Sequence, residues 1–122
     1  LPLHCTSQGK VFLAALAESE AQALLGRRPL TAYTPHTVTD AAQLLASLEQ
    51  VRRQGYAVED GEYKIGLRSV SAPVYGVDGA VRCTVGIVGM LRSTHSEEFR
   101  RAVEQVTAAG RMLSAALGYT GE

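Results

Sequence analysis

The chain has 122 residues, of which 46% are hydrophobic and 20% charged, a composition that fits one globular domain and excludes a disordered segment. The formal net charge is zero, whereas a domain that holds DNA unaided usually carries a basic excess, so direct nucleic-acid binding is not expected. No apolar run reaches the roughly 20 residues that cross a bilayer, and no secretory leader is present, which predicts a cytoplasmic protein without a membrane partner.

The N-terminal part of the chain predicts two helices. Segment 7–16 is rich in helix formers, with Thr6 or Ser7 available as the N-cap, and its apolar character on nearly all sides places it in the core. The capping-box pattern S-E-A-Q that starts at Ser19 predicts a second, short helix, which Gly26 would end.

The middle of the chain predicts a connection, a longer helix and a short strand. Segment 27–39 contains two prolines and is expected to be irregular. Asp40 would open the third helix, in which apolar residues recur at helical spacing, and Gly55 stands where a C-terminal stop belongs. A short strand over 56–58 and an acidic turn at 59–61 are expected to follow.

The C-terminal half predicts a strand hairpin and a last helix. Strands over 64–75 and 81–89 alternate in polarity and are joined by a D-G turn, and Pro73 should lie at an edge or a bulge because it cannot donate to a ladder. A capping box at 94–97 would open the helix, and Gly110 inside it suggests a close approach of another backbone. Its expected apolar stripe consists of Phe99, Val103, Val106, Leu113 and Leu117, with Gly118 as the cap.

This order of elements predicts an α+β fold in which helices flank an antiparallel sheet. Three strands make a thin sheet, and the chain starts within a hydrophobic stretch without an initiator methionine. We therefore expect a fragment of a longer protein, with further strands preceding the first residue.

The start of the first helix is a candidate anion site. The G-K pair at positions 9 and 10 does not complete a phosphate-binding loop, because the preceding glycine and the following Ser or Thr of that motif are missing. What remains is a helix N-terminus, where backbone N–H groups near Ser7, Gln8 and Gly9 would suit a carboxylate. The alternative is a capped core helix in which Gly9 merely permits close packing.

Histidine and cysteine give no metal or cofactor prediction. His4 and Cys5 lack the local spacing of a zinc site, and structural roles are favoured for both. Cys83 is far from Cys5 in sequence, which suits a reducing compartment, and a disulfide between them stays possible.

Two polar groups of side chains fit ligand contacts without pointing to catalysis. Glu59, Asp60 and Glu62 are expected to be solvated in a turn, but one that points inward could bind a ligand hydroxyl. Ser69 and Ser71 share a strand face made for burial, where they would meet either a polar ligand or nearby backbone. No serine lies in a G-x-S-x-G motif and no catalytic triad can be argued, so no catalytic residue is predicted and the chain is not expected to be an enzyme.

Several short motifs together resemble one family. The chain is similar to the effector-binding domain of IclR-type bacterial transcription regulators over nearly its whole length. The motifs that carry this resemblance are L-P-L-H at 1–4, Thr6, G-K at 9–10, Y-T at 33–34, T-V-T-D at 37–40, the run V-R-R-Q-G-Y-A-V-E-D-G-E-Y-K-I-G-L-R-S-V-S-A-P-V-Y at 51–75, and L-G at 117–118.

The resemblance implies a PAS/GAF-like sheet flanked by helices that binds a small metabolite or aromatic acid and reports its presence. It also implies a homodimer or homotetramer, and DNA contact only through an N-terminal winged helix-turn-helix that is absent from this sequence. Residues 1–122 would then form the effector-binding domain, partial at its N-terminal side.

The resemblance also assigns candidate contacts to the effector. The backbone amides of Ser7 and Gln8, next to Gly9, would hold its carboxylate. Glu59 matches the acidic position after the G-Y strand, and Ser69 matches the polar position after the arginine of G-x-R.

Four further positions would shape the walls of this site. Leu1 and Leu67 match apolar wall positions. Gly86 and Val88 stand where keto-acid-binding members have serine, which would leave a roomier and less polar floor. That difference favours a larger, aromatic carboxylate over glyoxylate or pyruvate.

Two other functions are consistent with the sequence. A small hydrolase would use Cys5 or the acidic turn, and would need a histidine within hydrogen-bond reach of the thiol in an open cleft. An oligomerisation module without a ligand would use Gly110 to mark a packed helix face.

Overall fold

The computed structural model describes residues 2–121, and within them the chain forms four helices and one three-stranded antiparallel sheet of order β1-β2-β3. The predicted α+β class is confirmed, while the likeness to PAS or GAF domains stays a prediction. No helix in this range is long and apolar enough to cross a membrane. The elements are α1 Ser7–Ala15, α2 Glu18–Leu25, α3 Ala41–Gln54, β1 Ala57–Asp60, β2 Arg68–Tyr75, β3 Val81–Gly89 and α4 Glu97–Ala116.

Helix α1 begins, and helix α3 begins and ends, at the capping residues that the sequence predicts. The Thr6 side chain accepts a hydrogen bond from the Gly9 amide at 3.1 Å and starts α1. Asp40 caps α3 in the same way, and Gly55 ends that helix with a left-handed φ of 85°, a conformation that glycine adopts without steric cost.

The N-terminal ends of α2 and α4 differ from the predicted capping boxes. Helix α2 begins at Glu18 after Ala17, whose side chain has no acceptor, and the Glu20 carboxylate instead accepts from the Ala17 amide at 3.2 Å. Helix α4 is capped by Ser96, which accepts from the Phe99 amide at 3.1 Å. The buried ring of Phe99 fixes where this first turn lies, so the cap is Ser96 and not Thr94.

The boundary between β1 and β2 also differs from the prediction. Glu59 and Asp60 belong to β1, where they pair with Ser69 and Arg68, and the turn follows them. Segment 61–67 forms this turn, closed by a 2.8 Å hydrogen bond from the Gly61 amide to the Leu67 carbonyl. Because Gly61 and Gly66 have φ angles of 66° and 88°, the strand predicted to begin at 64 cannot start before 68.

The two faces of the sheet pack against different helices. On one face, Val70 and Ala72 pack against Phe99, Ala102 and Val106 of α4. The other face, which carries Ser69 and Ser71, meets α1, as shown by a hydrogen bond between Ser7 and Ser71. A second core cluster joins α1, α2 and α3 through Leu13, Ala14, Leu25, Leu44 and Leu48.

The last turns of α4 bury small residues in place of the predicted leucines. Leu113 and Leu117 are 44% and 49% exposed, so the predicted stripe is wrong at these positions. Gly110 and Ser114 are buried instead, and a Cβ atom at Gly110 would lie 3.0 Å from the Pro73 carbonyl oxygen. The close backbone approach predicted at Gly110 is therefore confirmed.

Pro73 lies at a local edge of the sheet. It is on the central strand, but the last β1 pair is Ala57 with Ser71, so no β1 residue faces it. Two residues further, the Tyr75 amide donates to the Ser114 hydroxyl of α4 at 2.9 Å. The part of β2 that β1 leaves unpaired therefore exposes few free N–H groups: Pro73 has none, and that of Tyr75 is bonded to Ser114.

Candidate ligand-binding site

A cavity of about 440 Å³ lies between the start of α1, the 61–67 turn and the polar face of β2 and β3. It brings together all of the predicted effector-site residues within 2–121 except Gly9, although the sequence places them in four separate segments. Leu1 lies outside the described residues. The predicted residues that line the cavity are Ser7, Gln8, Glu59, Leu67, Ser69, Gly86 and Val88.

The first turn of α1 has two backbone N–H groups without an intrahelical partner, in residues that line this cavity. No acceptor among residues 2–121 bonds the amides of Ser7 and Gln8, as is usual for the first residues of a helix. The amide of Gly9 is different, because Thr6 Oγ1 already accepts it at 3.1 Å. The prediction that Gly9 contributes a free amide is therefore wrong.

Gly9 has a packing role instead. A Cβ atom at this position would lie 2.4 Å from the Leu3 carbonyl oxygen and 2.6 Å from the Leu3 Cα atom. These are backbone atoms that cannot move aside without displacing segment 3–6. Glycine thus lets the chain before α1 fold tightly against the helix, which holds Thr6 in its capping position.

Glu59 and Ser69 form a buried hydrogen-bonded pair in the cavity wall. Each is only 4% exposed, and Ser69 Oγ donates to Glu59 Oε1 at 2.9 Å. The second carboxylate oxygen, Oε2, accepts from the amides of Glu62 at 2.7 Å and Tyr63 at 3.4 Å. The expectation that these acids are solvated is wrong for Glu59, because β1 turns its side chain inward and its carboxylate holds the turn.

Glu62 forms a second buried contact, behind the cavity wall. Its Oε2 lies 2.8 Å from Lys10 Nζ, which also donates to the Val58 carbonyl at 3.1 Å. Both side chains are almost wholly buried, and Glu62 Oε1 has no partner among the described residues. This ion pair ties α1 to the turn after β1, whereas Asp60 is partly exposed and pairs with Arg68.

The expectation of a roomier and less polar floor is wrong at Gly86, because the Ser71 side chain occupies the space beside it. A Cβ atom on Gly86 would lie 2.4 Å from Ser71 Oγ, because Ser71 faces Gly86 directly across the β2–β3 ladder. Ser71 fills that space and places its hydroxyl 2.7 Å from Ser7 Oγ. Val88 differs: it is 67% exposed and forms an apolar rim.

The cavity contains further residues that the resemblance did not assign. The turn brings Tyr63 and Lys64 to it, with the Lys64 ammonium 5.7 Å from the centre of the Tyr63 ring. Thr84 and Ile87 come from β3. The polarity alternation of that strand could have indicated Thr84, which shares a face with Gly86 and Val88, while Tyr63 and Lys64 carry no such signal because their position depends on the turn.

The cysteines and His4 have no geometry for catalysis or metal binding. His4 is buried and its Nε2 contacts the Thr31 carbonyl at 2.8 Å. Cys5 and Cys83 are both free thiols, so the disulfide left open by the sequence does not form. Residues 2–121 hold no cluster of three or more potential metal ligands.

The buried thiol of Cys5 is expected to be unreactive. Burial raises its pKa from 9.0 to about 11, and the nearby charges of Glu62 and Glu59 add to the effect, with a smaller opposing effect of Lys10. Because the thiolate is the reactive form, a higher pKa means less reaction at any pH below it. At pH 8 we expect Ellman's reagent to titrate one thiol per folded chain, the exposed Cys83, and two after denaturation.

The matched variant is Cys83→Ser, which should give almost no reaction when folded and one thiol when denatured. Its slow reaction should accelerate as the pH rises toward 11. Rapid labelling of folded Cys83→Ser at pH 8 would contradict the burial and the raised pKa of Cys5.

Comparison with known proteins places these features in one family. The family model described as "Bacterial transcriptional regulator IclR C-terminal" matches residues 1–115. The HTH-type transcriptional regulator XynR of Escherichia coli K12 is 37% identical over 119 residues, which cover 98% of this chain and 47% of XynR. The chain thus spans about half the length of this relative.

Solved structures agree with the sequence matches. The C-terminal domain of the E. coli transcriptional regulator KdgR has a TM-score of 0.85 at 35% identity, with 97% of this chain and 72% of that chain covered. The inducer-binding domain of PobR from Acinetobacter, a double mutant in complex with 3-hydroxybenzoic acid, has a TM-score of 0.81 at 26% identity, with 97% of this chain and 66% of that chain covered.

The matched relatives are named as transcriptional regulators, which confirms the prediction of a non-catalytic chain. The motifs quoted from the sequence, the α+β fold and the family match over nearly all residues agree with one another. The chain belongs to the IclR family of bacterial transcriptional regulators and corresponds to their C-terminal domain.

Proposed function

We propose that this domain binds a small carboxylate effector in the cavity at the start of α1 and transmits its occupancy to the rest of a transcription regulator. The observation that carries the proposal is the pair of unbonded amides of Ser7 and Gln8, two residues that line a cavity of about 440 Å³. Ligand pockets measure roughly 300–1,000 Å³, so this one suits a molecule with one ring or a short carbon chain.

A carboxylate is the group that best matches the first turn of α1. Two N–H groups that point into the same space bind an anion by charge-assisted hydrogen bonds, and the helix dipole adds to the attraction. The hydroxyls of Ser7 and Ser71 lie beside these amides and keep the surroundings polar. The exposed Lys64 at the cavity further favours an anionic ligand over a cationic one.

The remaining walls favour an effector with an apolar body. Leu67 and Val88 supply aliphatic surface, and Tyr63 supplies an aromatic ring. An aromatic carboxylate would cover this surface in a way that glyoxylate or pyruvate would not. The relative PobR, whose inducer-binding domain is known in complex with 3-hydroxybenzoic acid, supports this class by analogy.

The longer protein that contains this domain is proposed to act in the cytoplasm as a DNA-binding homodimer or homotetramer. The relative XynR is described as HTH-type and is about twice the length of this chain. Residues 1–122 would then be the effector-binding domain, partial at its N-terminal side, and the helix-turn-helix would contact DNA. A carboxylate bound at α1 could bias the subunit arrangement through the contacts of that helix with the sheet.

A second function, oligomerisation, has one observation in its favour. Met112, Leu113 and Leu117 are exposed on the last turns of α4, where an apolar surface suits contact with another chain. A hydrolase that uses Cys5 has no such support, because this thiol is fully buried and its raised pKa keeps it protonated.

A thermal-shift experiment tests carboxylate binding directly. The purified chain is heated with a panel of small keto, hydroxy, aliphatic and aromatic acids, each paired with its neutral primary amide. We expect at least one acid to raise Tm by several degrees and its amide to have little effect, since a ligand at 100 times its Kd stabilises by about 2.7 kcal/mol. A flat response to every acid would refute the proposal.

A further inference from the structure

We infer that the effector carries a hydrogen-bond donor, a hydroxyl or an amino group, at the end of the molecule that lies away from its carboxylate. This inference rests on the proposed carboxylate site and specifies the ligand that the site accepts. The observation behind it is the direction of the hydrogen bonds around Glu59 and Ser69, which leaves these two side chains with open acceptor positions and no free donor.

The Glu59 carboxylate acts as an acceptor in every contact it makes. It receives the Ser69 hydroxyl on Oε1 and the amides of Glu62 and Tyr63 on Oε2. A carboxylate has about four acceptor positions, so these three donors leave one, on Oε1, beside Ser69. The protein itself thus supplies most of the donors that this buried group requires.

The hydroxyl of Ser69 uses its only donor in the hydrogen bond to Glu59. A serine hydroxyl has a single donor and two acceptor positions, so Ser69 Oγ can now only accept from a ligand. Both residues are 4% exposed and both line the cavity, so a ligand that fills it removes the water that would otherwise satisfy them.

The two ends of the cavity therefore require opposite chemistry. The amides of Ser7 and Gln8 need an acceptor, and they lie near Ser71, to which Ser7 is bonded. Ser69 stands two residues before Ser71 on the same strand face, about 7 Å away along the strand. A ligand that spans this distance must bring an acceptor to one end and a donor to the other.

This requirement separates acids of similar size. A hydroxyl or an amino group donates to Ser69 and Glu59. A methoxy or keto group offers only acceptors, and an unsubstituted carbon leaves the remaining acceptor positions of Glu59 and Ser69 unpaired and shielded from water, which is unfavourable for buried polar groups. A second carboxylate brings no donor and adds a negative charge next to Glu59, so we expect dicarboxylates to bind more weakly than their hydroxyl counterparts.

A calorimetric titration with matched acids tests the inference. The probes are benzoates with a hydroxyl, amino, methoxy, carboxylate or hydrogen substituent at position 3 or 4, and hexanoates with a hydroxyl, methoxy or hydrogen substituent at position 6. Within a series we expect the hydroxyl member to bind at least about tenfold more tightly than the methoxy, carboxylate and unsubstituted members. If the amino-substituted benzoates also bind tightly, the site accepts any donor at this position. If they bind weakly, it accepts hydroxyl groups only.

The variant Glu59→Gln replaces one acceptor oxygen of the cavity wall by an NH2 group, which is a donor. The amide nitrogen of glutamine would donate to Ser69 Oγ, which frees the serine proton to point into the cavity. We expect the ratio of hydroxyl to methoxy affinity to fall by about tenfold or more. Because Glu59 also holds the turn, Ser69→Ala is the second variant. It leaves Glu59 Oε1 without its serine donor, so the ratio of hydroxyl to methoxy affinity should be kept or rise. Ser19→Ala on the exposed surface of α2 is its matched control.

The possible outcomes separate the inference from the proposed function. If methoxy or unsubstituted acids bind within threefold of their hydroxyl counterparts, the inference is overturned while the carboxylate site stands. If no acid of either series binds, the proposed function fails as well. A preference for hydroxyl acids that survives unchanged in Glu59→Gln, or that is lost in Ser69→Ala, would also overturn the assignment to Glu59 and Ser69.

Discussion

Ser7→Pro is expected to weaken carboxylate binding by roughly ten- to a hundredfold while the domain stays folded. The substitution removes the backbone N–H of the first helical residue, a donor that would make a charge-assisted hydrogen bond to the ligand. Proline is well accepted at this position of a helix, because the N–H group has no intrahelical partner. Thr6, with φ −122° and ψ 149°, already has the extended conformation that a residue before proline prefers.

The control for this variant is Ser7→Ala, which loses the hydroxyl contact with Ser71 but keeps the amide. We expect its affinity to stay within severalfold of the original chain. Both variants would be titrated by calorimetry with the acid that gives the largest rise in Tm, and their folding compared by circular dichroism. Equal affinities of the proline and alanine variants would show that the amide of Ser7 does not hold the ligand.

Lys10→Met is expected to destabilise the domain by about 3–5 kcal/mol. The side chains of Lys10 and Glu62 are 10% and 12% exposed, and their charged groups lie 2.8 Å apart. Removing one partner of a buried ion pair leaves the other charge without compensation, which costs far more than the pair itself contributes. The free energy of unfolding would be measured from urea denaturation curves.

The double variant Lys10→Met with Glu62→Gln separates the buried charge from the lost contact. We expect it to recover most of the stability, because no unpaired charge remains inside the protein. Lys64→Met, at an exposed lysine, should change the free energy of unfolding by less than about 0.5 kcal/mol. A Lys10→Met variant as stable as the original chain would mean that the pair is solvated in solution.

The elements of the fold were predictable because their signals are local. Asp40 and Gly55 bound α3 through contacts within one turn, and alternating polarity located β3 at its observed limits. The prediction was wrong where a contact with a residue distant in sequence determines which of several side chains is buried. Leu113 and Leu117 fit the apolar spacing of α4 as well as Ser114 does, but the close passage of α4 over Pro73 favours a small side chain.

The sequence predicted which residues lie at the candidate site, but it did not predict the hydrogen bonds between them. Similar motifs placed Ser7, Gln8, Glu59 and Ser69 together, and the cavity contains all four. The inward orientation of Glu59 follows from its place on β1, where the sequence predicted a turn, and a sequence pattern does not show which oxygen bonds which donor. For the same reason, the Lys10–Glu62 pair could not be foreseen from two residues 52 positions apart.

The contact between Ser71 and Gly86 has a consequence for how relatives of this domain diverge. These two positions face each other on adjacent strands, and the space between them admits one side chain only. A lineage that acquires a larger residue at one position must therefore shrink the other, so changes of effector are expected to arise through coupled substitutions. A serine at position 71 facing a glycine at position 86 could in this way be replaced by the reverse pair, which would keep one hydroxyl in the cavity.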